Sequence, residues 1–98
     1  TARRTADQLN ATATNEAVAV RPRGWTRYLG DNDPAKVEAI GAKTNINGGA
    51  IAIGHPTGAT GGRLVMTMAY ELQRRGGGYG LCTICGGVGE SEAFIIRV

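Results

Sequence analysis

The sequence predicts an α/β fold, a mixed sheet around a buried helix. Three observations carry that expectation. Leu64, Met68 and Leu72, with Val65 and Ala69 beside them, form an apolar stripe at helical spacing from about Ala59 to Arg75. Two strand-like segments, from Tyr79 to Cys85 and from Ala93 to Val98, flank the glycine-rich stretch 86–91 and read as an antiparallel pair. Ala50, Ile51, Ala52 and Ile53 make a short all-apolar run between glycines, which suits a strand covered on both faces.

Taken in order, residues 1–15 are polar and small, with only Leu9 offering a sizeable core contact, so their structure is weakly specified. Asn15 is expected to N-cap a helix opening at Glu16 and Ala17, which Pro22 and Gly24 would limit. Trp25, Tyr28 and Leu29 supply a small apolar cluster. Asp33 followed by Pro34 has the form of a helix start, an acceptor at the N-cap and proline at the first helical position, and Gly41 is a natural stop. The long helix after Ala59 closes on Arg74, Arg75 and Gly76. Gly58, Gly61 and Gly62 in its first turns are poor helix formers, whose expected value is close approach of neighbouring backbones.

Composition narrows the function. A chain of 98 residues buries one modest core, and aromatics at 5% leave few large anchors for an independent one. The composition suits a piece of something larger. The net charge of +3 is mild, and its basic residues are dispersed rather than clustered with aromatics, which argues against nucleic-acid binding. A disulfide between Cys82 and Cys85 would close only a tiny loop, so a reduced, cytoplasmic protein is expected. No apolar run approaches the roughly 20 residues of a membrane span.

Two residues invite chemistry. His55, the only histidine, lies between Gly54 and Pro56, where a loop can present an imidazole to a cleft as a general base. Taken alone it reads more readily as a loop histidine satisfied by a backbone carbonyl. Cys85 ends an apolar strand before Gly86 and Gly87, whose unobstructed amides can stabilise a thiolate or an oxyanion. On burial statistics alone a structural cysteine is at least as good a reading, and it is the one that suits Cys82. The CxxC spacing of the two ends a strand rather than opening a helix, and zinc would need two further ligands. The loop from Gly54 to Gly61 has neither the lysine of a P-loop nor the GxGxxG order of a dinucleotide loop.

Together, Asn15-Glu16-Ala17, the block from Asn47 to Pro56 (NGGAIAIGHP), Gly58-Ala59-Thr60-Gly61 and Cys85-Gly86-Gly87 resemble, in order, the carboxy-terminal motifs of the thiolase family. The resemblance is strongest from Asn45 to Val98. It implies the later part of a thiolase C-terminal domain, incomplete on its own, and acyl transfer on coenzyme A thioesters, by thiolytic cleavage or the reverse Claisen condensation. By this resemblance Cys85 matches the cysteine that moves a proton at the alpha carbon. His55 matches the histidine that activates the nucleophilic cysteine and donates to the thioester oxygen, Asn15 the asparagine that holds a water in the same oxyanion hole, and Gly87 a glycine of the other hole. Histidine stands at the Cys85 position in the related ketoacyl synthases, so the cysteine favours a thiolase. The motif departs at Val18, where the family usually carries phenylalanine. The resemblance further implies coenzyme A as substrate rather than as cofactor, and a homo-oligomer of the complete protein; no metal is expected, because the residues offer too few ligands for one. It also implies a nucleophile from the amino-terminal half of a thiolase, in cis or in trans. The rival expectation is a non-catalytic remnant that binds a partner or an acyl-coenzyme A.

Overall fold

A run of four small residues, ATAT, has too little side-chain bulk to advertise a strand, yet it forms β1 (Ala11–Thr14), buried along its whole length. The computed structural model describes residues 8–16 and 20–98 of the chain. β1 pairs in parallel with β2 (Tyr79–Cys85), and β2 pairs antiparallel with β3 (Ser91–Arg97), giving a mixed sheet in the order β1-β2-β3. The free edge of β1 is met by the segment around Thr44: Thr12 N–H donates to Lys43 O and Asn45 N–H donates to Thr12 O. Pairing on both edges satisfies the backbone of this buried strand. This explains an element that the amino-acid pattern of residues 1–15 does not reveal.

Among the described residues four helices lie between β1 and β2: α1 (Val20–Leu29), α2 (Pro34–Ala42), α3 (Ala50–Ile53) and α4 (Thr60–Arg74). The expected start of α1 at Ala17, Val18 and Ala19 lies outside the described residues. α2 opens as its sequence dictates, with Asp33 accepting from Ala35 N–H at 3.0 Å and Pro34 in the first turn. Leu29 of α1 packs on Ile40 of α2 with Trp25 beside them. Tyr28, expected in this cluster, is 73% exposed, because one residue turns about 100° around α1 from Leu29 and so away from its contact with α2.

α4 lays Leu64, Met68 and Leu72 against Ala11, Ala13 and Cys82 of the sheet, with Ile84, Phe94 and Ile96 packed around them. It is buried along this face, while Met66 and Tyr70 on the other side are exposed. The helix and β2 approach so closely that a Cβ at Gly80 would lie 2.3 Å from Met68 Sδ. At Gly58, Gly61 and Gly62 the expected close approach is not met: no atom comes within 4 Å of a Cβ built there, because these turns stand clear of the sheet. α4 ends with Gly77 N–H bonded to Leu72 O and Gly76 N–H to Gln73 O, Gly76 sitting at φ +86°. This is a Schellman stop, and glycine makes it easy.

The run from Ala50 to Ile53 departs from expectation. It is a single helical turn, closed by Gly54 N–H to Ala50 O, and not a doubly covered strand. Ile51 and Ile53 are 60% and 56% exposed. No strand among the described residues offers it an edge, whereas Glu16, far away in sequence, places a carboxylate at its first turn, with Oε2 accepting from Ile51 N–H at 3.2 Å. An apolar run of four is equally compatible with either backbone, so this long-range acceptor decides. No helix among the described residues is long and apolar enough to cross a membrane.

Candidate active site

β1 and β2 run parallel, so their carboxyl ends emerge at the same edge of the sheet, the place where open α/β sheets present their ligand sites. Asn15 directly follows β1 and Cys85 closes β2. Asn15 N–H donates to Thr83 O at 2.9 Å, which extends the parallel pairing and turns the Asn15 side chain inward, where it is 2% exposed. The amides that Asn15 was expected to cap lie outside the described residues, and its Oδ1 meets no donor among those that are described. The parallel pairing thus runs one hydrogen bond past the end of β1.

Asn15 Nδ2 lies 3.3 Å from His55 Nε2, although the two are 40 positions apart. The other ring nitrogen, Nδ1, is 2.7 Å from Thr60 Oγ1. Thr60 is fully buried at the start of α4, and its hydroxyl donates to Pro56 O at 3.0 Å. A hydroxyl has one proton, so Thr60 accepts from His55 Nδ1–H. The network therefore assigns the Nδ1-protonated tautomer, and the lone pair of Nε2 faces the Asn15 amide.

This geometry explains what His55 can do. With Nδ1 holding the ring, Nε2 can take a proton, after which the same nitrogen becomes a donor toward a developing negative charge. Asn15 Oδ1, buried and without a donor, can hold a water or a ligand hydrogen beside it.

Asn15 and Cys85 line one open cleft of about 370 Å³, together with Thr14, Thr83 and, from α1, Trp25 and Tyr28. His55 adjoins it through Asn15. Thr14 and Thr83 join their hydroxyls across the strands at 2.9 Å below Cys85. Cys85 is partly exposed, whereas Cys82 is fully buried on the opposite face of β2, its thiol pushed up to about 11 by burial and its Sγ 3.7 Å from Leu64 O. Three residues apart on one strand, the two cysteines face opposite sides of the sheet. Gly87 follows in the β2–β3 loop at φ +114°, with its N–H free of any acceptor among the described residues. It does not line the cleft.

Three residues without an assigned role in the sequence reading support the site. Thr60 orients the imidazole. Asn45, at φ +49°, completes β1 with its side chain, accepting from Thr14 N–H at 2.8 Å and donating to Thr14 O at 3.0 Å. Glu16 Oε1 accepts from Asn45 Nδ2 at 2.8 Å. The signal that could have pointed to Asn45 is its residue type, since asparagine is among the few non-glycine residues enriched at positive φ. Farther along the loop, Asn47 Nδ2 donates to Glu71 at 3.1 Å, and Arg74 and Arg75 also bind this carboxylate. Arg74 foremost, then Arg75 and Asn47, hold the Glu71 carboxyl at about 2.

Comparison with known proteins agrees with the motif reading. The family profile described as thiolase, C-terminal domain, matches residues 2–98. A probable acetyl-CoA acetyltransferase of Mycolicibacterium smegmatis is 46% identical over 95% of this chain and 22% of its own length. A beta-ketoadipyl-CoA thiolase of Acinetobacter baylyi is 46% identical over the same shares. A 3-oxoadipyl-CoA/3-oxo-5,6-dehydrosuberyl-CoA thiolase of Escherichia coli is 48% identical over 85% of this chain and 19% of its own. The chain spans about one fifth of the length of these curated relatives.

Proposed function

Since this chain belongs to the thiolase family, matching its C-terminal domain, we propose that it supplies the acid–base and oxyanion-hole side of an acyl-transfer site acting on coenzyme A thioesters. The observation that carries the proposal is the imidazole held from both sides, Nδ1 on Thr60 and Nε2 toward the buried Asn15. In this reading a nucleophilic cysteine outside these residues gives its thiol proton to His55 Nε2, which keeps it, and takes the acyl group, while the departing coenzyme A thiolate takes the thiol proton of Cys85 and leaves Cys85 as the thiolate. Cys82 is unsuited to the nucleophile's part, being buried with a thiol that ionises reluctantly.

A second acyl-coenzyme A then loses its alpha proton to Cys85, and the enolate oxygen is held by His55 Nε2–H and by a water on Asn15. The enolate carbon attacks the acyl-enzyme carbonyl, whose oxygen the Gly87 amide helps to stabilise, and collapse expels the nucleophilic thiolate. Thiolysis is the reverse sequence. Directed donors and a mobile thiol proton are what this chemistry requires. The complete protein is read as a cytoplasmic homo-oligomer of fatty-acid or related acyl metabolism, in keeping with the acyl-CoA names its relatives carry.

The test is exchange of the alpha protons of acetyl-coenzyme A in deuterated buffer, with this segment completed by a cysteine-bearing amino-terminal thiolase half. Cys85→Ala is expected to abolish exchange, whereas Cys82→Ala leaves it in place. Persistence of exchange in Cys85→Ala would refute the assignment.

A further inference from the structure

Residues 51–59, the segment that carries His55, are all exposed. Apolar packing therefore cannot be what fixes this loop: Ile51 and Ile53 point largely into solvent. What ties it down is polar. Thr60 holds one side of His55, and at the other end a single carboxylate meets the loop where α3 begins.

That carboxylate is Glu16. Its Oε1 accepts from Asn45 Nδ2 at 2.8 Å and its Oε2 from Ile51 N–H at 3.2 Å, so both oxygens are spent on donors of the 45–51 segment. α3 has no side-chain cap of its own, and one of its orphan amides is answered only by Glu16. Room has been left for the contact. Gly49 is buried, with extended backbone at φ −126°, and a Cβ added there would lie 2.4 Å from Glu16 Oε2. Any larger residue could adopt this backbone but would displace the carboxylate.

Glu16 also follows Asn15 directly in the chain. One rigid strand end thus presents Asn15 to the imidazole and Glu16 to the turn four residues before it. We infer that Glu16 is a positioning residue, which fixes the reach of His55 to Asn15 by pinning the first turn of α3 to the end of β1. It touches no reacting atom. Its effect on catalysis rests on the acid–base role proposed for His55, but its effect on the imidazole does not.

His55 is the only histidine, so 15N labelling of histidine reports on it alone. The folded wild-type chain is expected to show the Nδ1-protonated pattern. Two variants attack the contact differently. Glu16→Gln keeps the shape but turns one acceptor into a donor facing a donor, and Gly49→Ala keeps the carboxylate but pushes it away. Both are expected to shift His55 toward a mixture of tautomers and to speed exchange of the Ile51 amide about tenfold or more, while the amide resonances of β2 and β3 hold their positions. An unchanged His55 pattern in either folded variant would overturn the inference. So would loss of the whole fold in both, since Glu16 would then support the sheet and not the loop. In a completed thiolase carrying this segment, Glu16→Gln should lower kcat about ten- to a hundredfold at little-changed KM. An altered His55 pattern with unchanged turnover would support the positioning and refute the acyl-transfer role of His55.

Discussion

The two cysteines provide a sharp test, because they are three residues apart on one strand and the structure gives them opposite fates. Cys82 has no exposed surface, and burial raises its thiol from 9.0 to about 11. Below pH 9 the thiolate of Cys82 is therefore about a hundredfold scarcer than that of an ordinary cysteine, a factor of ten for each pH unit of displacement. Physical shielding behind Leu64 and Met68 reduces its reaction further. Cys85 is partly exposed on the cleft. Treatment of the folded chain with iodoacetamide at pH 8, followed by peptide mass spectrometry, should give a singly alkylated product carrying the label at Cys85. Cys82 should react at a hundredth of that rate or less, and both should react alike in denaturant. Comparable labelling of Cys82 in the folded chain would refute the placement of the β2 register and, with it, the exposure of Cys85 to the cleft.

Two further outcomes follow from the packing and charge around α4. Glu71 lies at about 2 in the folded chain against 4.5 for an ordinary glutamate, so its ion pairs contribute stability above pH 4.5 that is lost as pH falls toward 2. Thermal unfolding measured by circular dichroism should show a midpoint that is flat from pH 7 to about 5.5 and declines below it, and Glu71→Gln should weaken that decline; an equally steep decline in the variant would assign the acid sensitivity to other carboxyls. Gly80→Ala should destabilise by about 1–3 kcal/mol, because its methyl must displace Met68 from α4. At about 4–8 °C per kcal/mol for a chain of this size, a midpoint unchanged within 2 °C or so would show that α4 stands farther from β2 than described.

The supporting roles around His55 and Asn15 illustrate why the site was only half legible. The residues themselves stand out by composition and order, since a lone histidine between glycine and proline, and a cysteine before two glycines, are unusual local contexts. Their mutual geometry is another matter. The Asn15 side chain reaches His55 only because β1 runs parallel to β2 and the segment around Thr44 crosses back along its free edge. Thr60 was part of the recognised motif, but its function depends on a hydroxyl meeting a ring nitrogen across a turn, which spacing does not specify.

Local patterning by itself determined α2 through its Asp33-Pro34 cap, α4 through its apolar stripe and glycine stop, and the antiparallel β2–β3 pair through two apolar runs around a glycine-rich loop. Each of these is fixed by interactions between residues close in the chain, so the signal lies within a short window. Tertiary structure alone decided β1 and α3. ATAT becomes a strand because neighbours on both edges satisfy its backbone, and AIAI becomes a helical turn because the Glu16 carboxylate receives its amide across 35 residues. In both segments intrinsic preference is weak, and hydrogen-bond partners distant in sequence supply the missing free energy.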